Sequence, residues 1–232
     1  MLVGIMGKKQ VGKDLSTNML HTIDKCYTSG MNFSDMYAFY EKNDVDWSHV
    51  SRFKTKKFAN KVKEIAALLL SCDKKMFEDE EFKNMVLPDV WNTVIPRYRV
   101  DEFSFIAECT ITMTNRQFLQ KIGTDCFRNN LHPNTLVNAL FSEYKPAKLS
   151  EYNPSNWIIN DVRFPNEAEA IKEKGGLLIK INRNTGYNDT HESETALDNY
   201  QDWDFVIDNN SSKEELFNNL INIYKEWLTL ID

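Results

Sequence analysis

The sequence predicts an α/β fold: a doubly wound, parallel, five-stranded sheet flanked by helices. Three observations predict it. Short apolar runs at Leu2–Met6, Trp157–Ile159, Leu177–Ile181 and Phe205–Ile207, with a further strand expected near Arg52–Phe58, alternate with stretches of helical spacing. The chemically distinctive segments Gly7–Lys13, Asp161-Val162-Arg163 and Asp208-Asn209-Asn210 each follow a predicted strand, and open α/β sheets bind ligands beyond the carboxyl ends of their strands. A chain of 232 residues with 42% hydrophobic content suits one such domain, with room for an inserted subdomain.

In chain order, Leu2–Met6 reads as a buried strand that stops at Gly7-Lys8-Lys9. Leu15, Met19 and Ile23, four apart, begin a helix from Asp14. Residues 27–50 mix aromatics with acids and read as an irregular packed segment, with a mobile cover over a site as the alternative. Phe58, Val62, Ile65 and Leu69 mark an amphipathic helix. Pro88 and Pro96 interrupt any long helix over 73–112. Asn115–Asn130 reads as a helix with Phe118, Leu119, Ile122 and Cys126 on one side. The strand at Trp157 ends at Asn160-Asp161, and Pro165 suits the first turn of the next helix, which Gly175-Gly176 closes. Ser212 with Glu215 fits a capping box for a last helix, with Leu216, Leu220, Ile223 and Trp227 inward.

Composition excludes several classes. The net charge, 28 − 34 = −6, disfavours binding along a duplex nucleic acid, whose affinity rests on phosphate neutralisation. A small phosphate compound needs only local cations. The four cysteines contain no CxxC pair, so a zinc site is disfavoured and reduced, mostly buried thiols are expected. No secretory signal and no run near the roughly 18 apolar residues of a membrane helix is present. The expectation is a soluble cytoplasmic protein with no membrane association.

Gly7-Lys8-Lys9-Gln10-Val11-Gly12-Lys13 matches G-x-x-x-x-G-K between a strand and a helix. Glycines let the backbone curl so that successive N–H groups face phosphate oxygens, and the helix adds its positive end. Gly7, Lys8, Gln10, Val11, Gly12, Lys13, Asp14 and Leu15 are therefore the candidate triphosphate site. Lys13 is the catalytic cation for the β- and γ-phosphates. Asp14 replaces the usual Mg²⁺-binding Ser or Thr, so its carboxylate either holds the metal or caps the helix.

Further blocks are Phe58-Ala59 with Lys63-Glu64, Arg116-Gln117-Phe118-Leu119-Gln120-Lys121-Ile122-Gly123-Thr124-Asp125 with Arg128, Asp161-Val162-Arg163-Phe164-Pro165-Asn166-Glu167-Ala168-Glu169-Ala170-Ile171, Asp189–Glu194, and Ile207–Asn210. With the phosphate loop, in this order, the chain resembles the deoxynucleoside monophosphate kinases of tailed bacteriophages. The resemblance implies a single P-loop kinase domain over 1–232, a helical monophosphate-binding insertion at about 58–150 and a lid segment at about 183–200. It implies transfer of the γ-phosphoryl of ATP to a small deoxynucleotide with Mg²⁺, in the host cytoplasm if phage-encoded, and a homodimer.

Phosphoryl transfer brings two anions together, so cations should converge from several segments. Arg163 and Arg183, each after a predicted strand, join Lys13 as catalytic candidates; for Arg163 the alternative is an ion pair with Glu167, and for Arg183 plain exposure. Arg116, Gln120 and Arg128 fall where the family's acceptor side lies, with a solvated helix face as the alternative. Asp161 is a candidate substrate and Mg²⁺ residue, or else a helix N-terminal Asp. His191 and Glu194 are candidate lid or substrate contacts, and Asn209 a candidate adenine contact or ordinary turn residue. Rival functions are another kinase of this fold, of the phosphomevalonate or dephospho-coenzyme A type, and a nucleotide-binding regulator without turnover.

Overall fold

The computed structural model describes residues 1–43, 45–97, 107–145, 155–186 and 192–231. They form two compact units: Met1–Phe58 with Val137–Asp232, and Ala59–Leu136.

The first unit is built on a five-stranded parallel sheet in the order β2-β5-β1-β6-β7. Its strands are β1 (Leu2–Met6), β2 (Lys54–Lys56), β5 (Trp157–Val162), β6 (Leu177–Asn182) and β7 (Phe205–Asp208). Side chains alternate across it as the pleat requires. Val3, Ile5, Ile158, Ile179 and Ile181 pack with Met19, Leu20 and Ile23 of helix α1 (Lys13–Thr28) and Leu216, Leu220 and Ile223 of α9 (Lys213–Ile231). Leu2, Met6, Ile159 and Leu178 pack on the opposite face with Ala168 and Ile171 of α7 (Pro165–Glu173). Neighbouring β1 and β5 thus send their following helices to opposite faces. That divergence opens the crevice in which doubly wound sheets bind ligands.

Three local features depart from the sequence expectation. The expected irregular stretch over 27–50 contains a helix, α2 (Met36–Lys42), whose Tyr37 and Tyr40 stack on Phe217 of α9. Strand β5 does not stop before Asn160-Asp161. Gly4 pairs with Ile159 but Met6 with Val162, so these two polar residues together oppose Ile5 as a bulge and the strand resumes at Val162. The cysteines also differ from expectation: Cys26 is buried, Cys72 half-buried and Cys126 exposed.

Tertiary pairing fixes the ends of the sheet unit. Asp24 is fully buried on α1 and accepts from Ser51 Oγ, the Arg52 backbone and guanidinium, and Tyr224 Oη of α9, at 2.6–3.0 Å. Ser212 Oγ accepts from the Glu215 N–H at 3.1 Å, capping α9.

The second unit has its own core of Val62, Ala66, Phe77, Leu87, Phe118 and Ile122. Its elements are α3 (Ala59–Leu70), α4 (Glu80–Asn84), the antiparallel pair β3 (Thr93–Arg97) and β4 (Ala107–Ile111), and α5 (Asn115–Gln120). Helix α5 starts in a capping box between Thr114 and Gln117 and runs on as a π-helix over Lys121–Asn129. The i→i+5 winding explains the exposed Cys126: five residues, not four, return to the inner face, so Phe127 packs inward after Ile122. On α3 the inward stripe is Val62, Ala66 and Leu70, and Leu69, expected inside, is 51% exposed. The short α6 (Thr135–Phe141) and α8 (Glu192–Thr195) complete the chain, and no helix among the described residues is long and apolar enough to cross a membrane.

Candidate active site

The loop between β1 and α1 curls around the head of its own lysine. Lys13 Nζ donates to the carbonyls of Gly7 at 2.5 Å and Lys8 at 2.7 Å. Those bonds hold the ammonium at the helix's amino end, where phosphate oxygens would bind. Two positions force the curl. Gly12 has φ +105, which an L side chain rarely adopts, and a Cβ there would meet Asn209 Nδ2 at 2.7 Å. Gly7 leaves no room either: a Cβ would lie 2.4 Å from Val11 Cγ2 and 2.8 Å from the Ile181 carbonyl. Gln10 also has positive φ (68) and is exposed.

Asn209 clamps this loop from the end of β7. Its side chain is buried, its amide donates to the Val11 carbonyl at 2.8 Å, and its backbone N–H donates to Asn182 at 2.7 Å. One asparagine therefore ties the β6–β7 edge to the loop.

The bulge in β5 delivers two oxygen-bearing side chains. Asp161 Oδ1 accepts from the Phe58 N–H at 2.9 Å, fixing the segment after β2. Asn160 Nδ2 donates to Asp14 Oδ1 at 2.9 Å, and Lys57 Nζ lies 3.6 Å from the same oxygen. The N-cap of α1 is Gly12, which has no side chain, and Asp14 stands exposed in the first turn. Leu15, beside it, packs partly into the sheet core rather than toward the loop's polar face.

Arg163 follows β5. The ion pair expected as the alternative, with Glu167, takes another form. The buried Glu167 carboxylate accepts from the backbone N–H groups of Arg163 at 2.8 Å and Phe164 at 3.1 Å, capping α7. The Arg163 guanidinium pairs instead with Glu194 and reaches the Ser193 carbonyl at 3.3 Å. Arg183 is exposed on the loop after β6. It lines an open cleft of about 470 Å³ with Lys8, Val11, Asn182, Thr185 and Asn210. Lys8 also pairs with Asp198 at 3.2 Å. His191 lies outside the described residues, as does the 187–190 part of the expected lid segment.

In the other unit, Arg116 pairs with Glu80 at 2.7 Å and touches Asn84 at 3.4 Å. Gln120 and Arg128 are half-buried on the helix over 115–129, Gln120 at its α end and Arg128 in its π-helical part.

Charge clusters around Lys13. Burial, then repulsion from Arg163 and Lys57, lowers its pKa to about 8, against the pull of Asp14 and Asp161. Four charged side chains from three chain segments are thus within electrostatic reach of one ammonium. Sequence reasoning missed Lys57 and Asn160. Lys57 ends a run of basic residues that reads as solvated surface, and Asn160 sits in an apolar strand; neither signals a site without the fold.

The donor set suits Mg²⁺. Kinase Mg²⁺ sites use one or two carboxylates, with phosphates and waters completing the shell. Asp14 and Asp161 are hard oxygen donors, and the Asn160 carbonyl beside them is buried without a hydrogen-bond partner among the described residues. No cluster of three or more His, Cys, Asp or Glu side chains occurs among the described residues, so an all-protein metal cage is not part of this arrangement.

Comparison with known proteins agrees with this chemistry. A family model described as deoxynucleotide monophosphate kinase matches residues 1–220. A protein of Acanthamoeba polyphaga mimivirus, described as "Putative deoxynucleotide monophosphate kinase", is 38% identical over 118 residues, which are 47% of this chain and 60% of that one. The deoxynucleotide monophosphate kinase of Enterobacteria phage T4 is 33% identical over 111 residues, which are 47% of this chain and 45% of that one. The matched stretch thus spans less than two thirds of either relative.

Proposed function

The chain belongs to the deoxynucleotide monophosphate kinase family, and from that premise we propose that it transfers the γ-phosphoryl group of ATP to deoxynucleoside 5′-monophosphates, giving diphosphates for DNA synthesis. The observation that carries the proposal is the Lys13 ammonium held by the Gly7 and Lys8 carbonyls at the amino end of α1, with Arg163, Lys57, Asp14 and Asp161 within electrostatic reach.

In this reading the loop amides and Lys13 take the donor's β- and γ-phosphates. Arg163 leaves Glu194 for the transferred group, its planar fork matching two phosphate oxygens. Arg183 and the polar cleft after β6 hold the donor's outer part, and Asn209 acts through the loop it clamps. Asp14 and Asp161 hold Mg²⁺, which when bound offsets phosphate charge and orients the oxygens. Arg116, Gln120 and Arg128 take the acceptor, the arginines its phosphate and the Gln120 amide its base edge. His191 and Glu194 contact substrate as the 183–200 segment closes. The acceptor monophosphate is already anionic, so no strong general base is required. We further propose a cytoplasmic protein that acts as a homodimer and does not bind duplex nucleic acid, in keeping with its net charge of −6.

ADP release with ATP and Mg²⁺ tests the proposal across deoxynucleoside monophosphates, including modified ones, with phosphomevalonate and dephospho-coenzyme A as controls. Turnover with one or more deoxynucleoside monophosphates is expected. Turnover with a control alone would move the chain to a different kinase reaction, and micromolar ATP binding without any turnover would make it a regulator.

A further inference from the structure

Asn160 is a polar residue where the sheet has little place for one. It is 4% exposed, in a strand whose neighbours Ile158 and Ile159 are fully buried. Its Nδ2 donates to Asp14 Oδ1 at 2.9 Å, and its Oδ1 is buried with no partner among the described residues. The amide's orientation is fixed by chemistry: turned over, it would set a carbonyl oxygen against a carboxylate. The bulge that places Asn160 beside Asp161 is itself a local departure from regular pairing, and bulges of this kind re-aim side chains next to active sites.

Asp14 needs such a partner. Its side chain is 85% exposed, so packing against its own helix does not fix the carboxylate. A hydroxyl at this place would be short and held close to the helix; a carboxylate is longer and must be oriented from outside. Lys57, at 3.6 Å, offsets charge without setting direction.

We propose that Asn160 is a positioning residue that aims the Asp14 carboxylate at the divalent cation accompanying the triphosphate. The inference rests on the donor-site reading above and adds to it the residue that makes aspartate serviceable in place of Ser or Thr. Asn160 itself touches neither phosphate nor base. Its effect belongs to metal dependence, and the bare affinity for nucleotide should barely respond.

The test is calorimetric titration of ATP into the full chain across a Mg²⁺ series and in EDTA, for wild type, Asn160→Ala, Asp14→Ala and the double variant. Removing a partner that orients a metal ligand weakens metal affinity by about 10- to 100-fold. Asn160→Ala is therefore expected to raise the Mg²⁺ midpoint for ATP binding by about tenfold or more, with affinity in EDTA within about twofold of wild type. The double variant should match Asp14→Ala, because Asn160 acts through Asp14. If Asn160→Ala fails to fold, Asn160→Leu keeps the shape without the donor and carries the same expectation. An unchanged midpoint, or losses that multiply in the double variant, would overturn the inference and leave the donor site standing. Wild type that binds no ATP with or without Mg²⁺ would remove the donor site, and the inference with it.

Discussion

At the level of single residues, Lys13 carries the heaviest demand. It is a half-buried cation, and desolvation followed by the nearby Arg163 and Lys57 lowers its pKa to about 8. An anionic oxygen placed beside Lys13 would offset that repulsion. The ammonium is the acid form, so the free protein holds the charge below about pH 8 and loses it as pH rises through that value. kcat/KM for ATP, which reports the free enzyme, should accordingly fall above about pH 8, while kcat stays flatter because bound phosphate pulls the proton back. A kcat/KM profile flat to pH 10 would break this link between burial and charge. Lys13→Ala should lower kcat by at least about a hundredfold, the scale for losing one group that stabilises developing charge. Steady-state rates on a variant with wild-type circular dichroism check it.

At the level of elements, the loop and the bulged strand show how backbone conformation creates the site. Gly12→Ala would place a Cβ 2.7 Å from Asn209 Nδ2 at a residue with φ +105. The strain is about 1–3 kcal/mol, and the clamp on Val11 would have to open. Urea denaturation should show that loss, and ATP binding should weaken along with it. A fully stable variant with normal ATP affinity would mean that the loop tolerates another shape. The Asp24–Arg52–Tyr224 network joins α1, the approach to β2 and α9, away from the phosphate loop. Tyr224→Phe removes the hydrogen bond that the phenol donates to the buried Asp24 carboxylate and the one it accepts from Arg52, and should cost about 1.5–3 kcal/mol in urea denaturation, with the KM for ATP unchanged. Burial and Asp24 push the Tyr224 phenol well above its ordinary value of 10.0. The folded state thus keeps a proton that the unfolded chain gives up. The stabilisation is complete below about pH 10 and declines as pH rises past it.

Across the whole molecule, the candidate site residues are divided between two compact units. The sheet unit holds the phosphate loop, and the unit over Ala59–Leu136 holds Arg116, Gln120 and Arg128. If donor and acceptor are divided in the same way, Arg128→Ala should raise the acceptor KM more than the ATP KM. Steady-state kinetics with each substrate varied in turn decide this, and the opposite pattern would assign Arg128 to the donor. Much of this organisation was legible in the chain. Four of the five strands announced themselves as apolar runs, β2 being a polar Lys-Thr-Lys, and G-x-x-x-x-G-K between β1 and α1 located the loop, because both signals depend on neighbouring residues alone. Cys126 was misjudged because a π-helical winding changes the period that the pattern assumes. Sequence by itself therefore determined the class of fold, the places of the five sheet strands along the chain and the place of the phosphate loop. Only the tertiary structure decided that Arg163 meets Glu194, that Asn209 grips Val11, and that Asn160 and Lys57 reach Asp14. The physical reason is range. Periodicity and turn chemistry act over a few residues, whereas these contacts join segments 31 to 198 positions apart, and only packing of the sheet fixes which side chains meet.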